Sequence, residues 1–192
     1  MITDWLRGRT QGIVATLAML MHRLGLTPNG LTLIGTVFMF GIGLVLAQGN
    51  FVTGAVLVAL AAAFDALDGS LARQTNRVTR FGAFLDSTTD RWAEAAIYGG
   101  LLWWYTGQGS QLEVMLVYAA IIGSLLVSYT RARAEGIGVE CKVGLFTRFE
   151  RIVVLIVGLV SGQMLIALAV LAVLSNVTAI QRILHVHRQL ER

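Results

Sequence analysis

DALDGSLARQTNRVTRFGAFLDSTTD, residues 65–90, sets Asp65, Asp68, Asp86 and Asp90 into a chain that is otherwise apolar, with the spacing D-x2-D-G-x2-A-R-x8-G-x3-D-x3-D. Carboxylates in or beside membrane-spanning helices are expensive to desolvate, so four of them in one short stretch call for a compensating cation and mark a site. Asp65 and Asp68 stand at i and i+3, Asp86 and Asp90 at i and i+4. On helices each pair therefore shares one face. The link from Gln74 to Arg80 is short enough to make the two helices antiparallel neighbours, and the pairs then face each other across one gap. Oxygen-only ligands suit Mg²⁺, Mn²⁺ or Ca²⁺ rather than zinc. Two such ions roughly 3.5–4 Å apart would polarise a phosphoryl oxygen and stabilise the entering and leaving groups of an in-line displacement. Gly69 and Ala72 keep the same helix face bare for a ligand, and Arg73 is placed to meet a phosphate.

Outside this stretch the composition excludes a water-soluble domain. Hydrophobic residues make up 56% of 192, charged residues 14%, and the mean hydropathy is +0.71, against about 45–50% apolar and about 25% charged in soluble domains. The expected class is an all-α integral membrane protein. Uncharged runs at 30–64, 95–112, 114–130 and 152–181, broken at Gln48-Gly49-Asn50 and Ser161-Gly162-Gln163, divide into spans of the ~20 residues a bilayer requires. Six transmembrane helices follow, at about 30–48, 52–73, 81–105, 112–135, 144–161 and 163–184. An amphipathic interfacial helix at about 9–25 precedes them, with Ile13, Leu17, Leu20, Met21 and Leu24 at helical spacing. The whole of 1–192 reads as a single membrane domain.

Charge orients it. With six crossings all 15 Lys and Arg fall on one side, whereas five would send Arg182, Arg188 and Arg192 across, so the positive-inside rule favours six helices with both termini cytoplasmic. Trp103-Trp104-Tyr105 marks a membrane boundary. The N-terminus lacks the pattern of a cleaved signal peptide. The single cysteine, Cys141, excludes an internal disulfide and reads as a bystander thiol. His185 and His187, two apart, fall on different helix faces and do not form a metal pair. No nucleic-acid partner is expected.

In the second half of the chain, arginines cluster at three helix ends. They lie in Ser128-Tyr129-Thr130-Arg131-Ala132-Arg133-Ala134-Glu135, in Thr147-Arg148-Phe149-Glu150-Arg151 and in Gln181-Arg182. Guanidinium groups bind phosphate in bidentate fashion, so this set fits a substrate that carries its own phosphate rather than a neutral alcohol. Glu135 and Glu150 are read as partners that orient neighbouring arginines. Arg7, Arg9, Arg77, Arg188 and Arg192 are read as topological charges near anionic headgroups.

At every fixed position, residues 65–90 match the signature of the CDP-alcohol phosphotransferase family, which the chain resembles over its whole length. The resemblance implies transfer of a substituted phosphoryl group from a CDP-linked donor to an alcohol, with release of CMP and two Mg²⁺ (or Mn²⁺) ions per active site. It also implies a homodimer, in the cell membrane with a cytoplasmic active site. Asp65 and Asp86 would touch both ions, Asp68 one, and Asp90 the other while accepting the proton. Asn29, Gly30, Leu31, Thr32, Gly69, Ala72, Arg73, Thr79 and Gly82 would bind CDP-diacylglycerol. Read by itself, Pro28-Asn29 is also a plain helix start.

The run Ser-Tyr-x-Arg-Ala-Arg-Ala-Glu resembles the phosphatidylinositol-phosphate and archaetidylinositol-phosphate synthase branch of that family. It implies an inositol phosphate acceptor held by Ser128, Arg131, Arg148 and Arg182, with Arg151 as the alternative to Arg148. The expected reaction yields phosphatidylinositol phosphate and CMP. The alternative is a phosphatidylglycerophosphate synthase using glycerol 3-phosphate, and a divalent-cation transporter is a more distant one.

Overall fold

The computed structural model describes residues 25–74 and 79–191, with backbone alone over 66–74. The expected leader helix at about 9–25 therefore lies outside the described residues except for Gly25. Among the described residues there are six helices and no strand: α1 Pro28–Ala47, α2 Phe51–Gln74, α3 Arg80–Gly107, α4 Gln111–Gly136, α5 Arg148–Ser161 and α6 Met164–Leu190. Three of them, α1, α4 and α6, are long and apolar enough to cross a membrane. The others differ for identifiable reasons. α2 is apolar only from Phe51 to Asp65, α3 holds Arg80, Asp86, Asp90, Arg91 and Glu94 before its apolar stretch begins, and α5 has 14 residues, or about 21 Å of helix.

Two boundaries differ from expectation. α5 starts at Arg148 instead of near 144, because Gly144 has φ +142° and Thr147 is extended, an N-cap conformation. The Thr147 N–H donates to Glu150 Oε2 at 2.7 Å, and its hydroxyl donates to the same oxygen. Those bonds satisfy groups that the first turn leaves open. α6 runs to Leu190 instead of about 184, and its last turns carry i,i+4 contacts, His185 to Gln189 at 3.0 Å and His187 to Glu191 at 3.4 Å. The break at Ser161-Gly162-Gln163 is present, with Gly162 left-handed at φ +72°.

The chain divides into two compact units. The first comprises residues 25–41, 59–74 and 79–94 of the described chain, and its packed centre is Leu31 against Leu26 and Phe64. The second comprises 42–58 and 95–191. Here α1 and α3 touch backbone to backbone: a methyl group on Gly100 would lie 2.1 Å from Gly43 O, and one on Gly43 would lie 2.4 Å from Ala96 O. α6 packs against α4 and α5 in the same manner. Gly123 faces Ser175 and Asn176, Gly158 faces Ala167, and Asn176 Nδ2 donates to Ala119 O at 3.0 Å. Small residues and interhelical hydrogen bonds are the adhesives available where lipid competes with every apolar contact. Large apolar side chains such as Val37, Leu44, Met115, Val157 and Ile166 point outward, the arrangement a lipid environment favours.

Candidate active site

In the first unit, Asp65 of α2 meets Asp86 and Asp90 of α3. One carboxylate oxygen from each lies within 4.8 Å of the others, and all three side chains are half-buried. The one-turn spacing of Asp86 and Asp90 puts both on the α3 face that meets Asp65. Around them α3 reads Ser87-Thr88-Thr89, hydroxyl residues that are costly in an apolar setting unless bonded. Each hydroxyl is bonded back along its own helix: Ser87 to Phe84 O at 2.9 Å, Thr88 to Phe84 O at 2.8 Å and Thr89 to Leu85 O at 2.8 Å. Arg91 Nη2 donates to Asp90 Oδ2 at 3.2 Å and fixes that carboxylate's orientation. Arg91 stands directly after Asp90 in the sequence, and that adjacency is the signal for its place in the site.

Among the described residues the converging ligands are carboxylates alone, a donor set for a hard divalent cation. Asp68, Gly69, Ala72 and Arg73 lie on the described backbone of α2, with side chains outside the described atoms.

The N-terminal ends of α1 and α3 come together in this unit. Thr27 Oγ1 accepts from the Gly30 N–H at 3.1 Å, and Thr79 Oγ1 accepts from the Gly82 N–H at 2.9 Å, so a threonine caps each helix. A methyl on Gly82 would lie 3.2 Å from Asn29 Oδ1. Asn29, Gly30, Thr79 and Gly82 are thus neighbours, at two helix ends whose dipoles attract anions. Thr32 donates to Pro28 O at 3.1 Å. Leu31 differs from expectation: its side chain is 1% exposed in the packed centre and its N–H donates to Thr27 O at 3.0 Å. It acts as a packing residue under the first turn of α1, and neither its side chain nor its N–H is open to a ligand.

The second unit carries the arginines. Arg131 Nε donates to Glu135 Oε1 at 2.9 Å across one turn of α4, an exposed pair. Arg182 is 5% exposed; its Nε donates to Val143 O at 2.9 Å and its Nη1 to Val127 O. Arg131, Arg151 and Glu135 lie close enough to Arg182 to interact electrostatically. Arg151 is buried and Arg148 half-buried, both in the first turn of α5, while Ser128 is half-buried on α4. Lys142, in the loop between α4 and α5, bonds to Glu140 and holds that exposed carboxyl below its usual range. Guanidinium groups gathered in this way repel one another and favour an anion among them.

An all-helical membrane protein with a carboxylate cluster for a divalent cation is the class that this geometry defines. Residues 25–184 match the CDP-alcohol phosphatidyltransferase family, to which the chain belongs. It is therefore a transferase, and a cation transporter no longer applies. The phosphatidylinositol phosphate synthase of Streptomyces avermitilis is 38% identical over 204 residues, covering 98% of this chain and 84% of that one. Among solved structures, the Mycobacterium tuberculosis phosphatidylinositol phosphate synthase with CDP-DAG bound superposes with TM-score 0.87 at 32% identity, over 91% of this chain and 93% of that one. The same enzyme in complex with manganese and citrate superposes with TM-score 0.86 at 32% identity, over 90% and 88%.

Proposed function

We propose that this chain is a phosphatidylinositol phosphate synthase, transferring a phosphatidyl group from CDP-diacylglycerol to an inositol phosphate. The convergence of Asp65, Asp86 and Asp90 within 4.8 Å carries the catalytic half of this reading. Asp65, Asp68, Asp86 and Asp90 would hold two ions, Mg²⁺ or Mn²⁺, and a relative that binds manganese supports the choice of a divalent metal. Bound there, the ions would polarise the donor phosphate and neutralise charge on the leaving group. The acceptor hydroxyl loses its proton to Asp90 as its oxygen attacks the phosphorus that bears diacylglycerol. The bond from that phosphorus to the bridging oxygen breaks, and CMP departs with the bridging oxygen.

Asn29, Gly30, Thr32, Thr79 and Gly82, with Gly69, Ala72 and Arg73, would line the donor's cytidine diphosphate. Leu31 would support them from the packed centre. The meeting of two capped helix ends favours an anionic ligand there, and the relative with CDP-DAG bound supports its identity. Ser128, Arg131, Arg148 and Arg182 would hold the acceptor phosphate, with Arg151 as the alternative to Arg148. Arg182 would do so with the N–H donors that Val143 and Val127 leave open.

Six crossings, an interfacial leader, cytoplasmic termini and a plasma-membrane location complete the proposal, on the strength of the positive-inside pattern. A homodimer is carried by family resemblance. Gly100 and Gly123 are filled by contacts within the chain, whereas the face of α3 at Gly99, Trp103 and Gly107 is open to such a contact.

CMP release from CDP-diacylglycerol, measured with inositol phosphate, glycerol 3-phosphate and free inositol in turn, tests the assignment. Inositol phosphate should be used at least tenfold more efficiently in kcat/KM than the others. Preference for glycerol 3-phosphate would make the chain a phosphatidylglycerophosphate synthase.

A further inference from the structure

Three side chains on one face of α6, Thr178, Gln181 and Arg182, stand at i, i+3 and i+4 and reach the same piece of backbone. Thr178 Oγ1 accepts from the Phe146 N–H at 3.2 Å, Gln181 Oε1 accepts from the Leu145 N–H at 3.4 Å, and Arg182 Nε donates to Val143 O at 2.9 Å. That backbone is the end of the loop 137–147, whose Cys141 and Phe146 side chains are buried. The contact is close. A methyl on Gly144, the residue with φ +142°, would lie 2.7 Å from Thr178 Cγ2. Thr178 is 0% exposed, so no water replaces its oxygen if it is lost, and the Phe146 N–H would be orphaned. The next residue is Thr147, the cap of α5, and the one after it is Arg148. Side chains of α6 thus hold the backbone that leads into the first turn of α5.

We propose that Thr178, with Gln181 beside it, is a positioning residue for the acceptor. Together they clamp residues 145 and 146, directly before the Thr147 cap, so that Arg148 is held ready for the acceptor phosphate. The proposal rests on the acceptor reading above and extends it to residues that touch no substrate. A loop free to wander must be ordered again at each binding event, which weakens acceptor affinity. Donor binding and the carboxylates take no part in this clamp.

The test compares Thr178→Val, which keeps the side chain's shape and removes its oxygen, with Thr178→Ser and with Arg148→Ala as reference. Two readouts are taken in detergent: steady-state kinetics, and hydrogen exchange of the peptide spanning 143–149. Thr178→Val should raise KM for inositol phosphate about tenfold and speed exchange in that peptide, with kcat and the donor KM within about twofold of wild type. Thr178→Ser should restore both. Should the valine variant not yield folded protein, Gln181→Leu repeats the test, with about a threefold rise expected. Wild-type exchange and acceptor KM in the oxygen-free variant would overturn the clamp, and so would equal losses on both substrates. If Arg148→Ala left the acceptor KM unchanged, the acceptor reading would fall instead, and the clamp would stand or fall on exchange alone.

Discussion

The carboxylate site and the arginine site are built in opposite ways. Asp65, Asp86 and Asp90 come from two consecutive helices: spacing puts Asp86 and Asp90 on one face, and Asp65 of the preceding helix meets them there. The arginines come from α4, α5 and α6, and none of their relations follows from local spacing except Arg131 with Glu135. One site is a motif that survives as geometry. The other is a set of like charges whose individual work depends on what each touches: Arg182 braces two backbone carbonyls, Arg131 leans on a carboxylate, and Arg151 is buried. Residues fixed by spacing should therefore be close to indispensable, and residues fixed by surroundings should have graded effects.

The largest effect separates the two sites most sharply. Asp86→Asn or Asp65→Asn should each lower CMP release at least about 1,000-fold at saturating Mg²⁺, because a neutral amide removes both charge and a ligand from the cluster. A variant keeping more than about a tenth of the wild-type rate, a loss under about 1.4 kcal/mol, would break the carboxylate half of the comparison.

Asp90→Asn comes next, with a fall in kcat of about 100-fold or more and donor binding intact, as expected for loss of a proton acceptor. Titrating Mg²⁺ or Mn²⁺ into the variant distinguishes base from ligand. Recovery to near the wild-type rate would leave Asp90 with a metal-binding role only.

Arg148→Ala should raise the KM for inositol phosphate about tenfold while leaving the donor KM within about twofold, the loss of one charge-assisted phosphate contact. Running Arg151→Ala in parallel decides between the two α5 arginines, since only the true ligand should produce that split with an unchanged melting temperature. Arg151, being buried, should instead lower thermal stability.

The smallest effect is at Glu135. Its bond to Arg131 is exposed on both sides, and exposed pairs are worth about 0.2–1 kcal/mol, so Glu135→Gln should change acceptor KM by less than about fivefold. A larger shift would mean that the pair works away from solvent and close to the acceptor, and the contrast between the two regions would narrow.

Much of this was legible beforehand because membrane helices obey simple rules. Glycines and polar residues at 48–50 and 161–163 end helices where charge-free runs exceed a bilayer, and the structure breaks at both. The shared face of Asp86 and Asp90 was legible because one turn of helix is a local property. The burial of Leu31 was not legible, because a motif position says nothing of which way a side chain faces; the packing of Leu26 and Phe64 around it does. Small residues such as Gly100 and Gly123 allow close helix contact either within the chain or with a second copy, and their spacing does not choose between the two. Only the approach of Gly43 and Asn176 decided for the former.

What the sequence determined by itself was the membrane class, the helix breaks and the carboxylate face, all consequences of hydrophobic period and helical spacing over short distances. What only the tertiary structure decided was how α6 disposes of its polar residues. Thr178, Gln181 and Arg182 are far from residues 143–146 along the chain, and buried polar groups must find partners wherever the packing supplies them. The path of the loop into α5 follows from that search for partners, which no local pattern encodes, whereas the Thr147–Glu150 cap at its end is local.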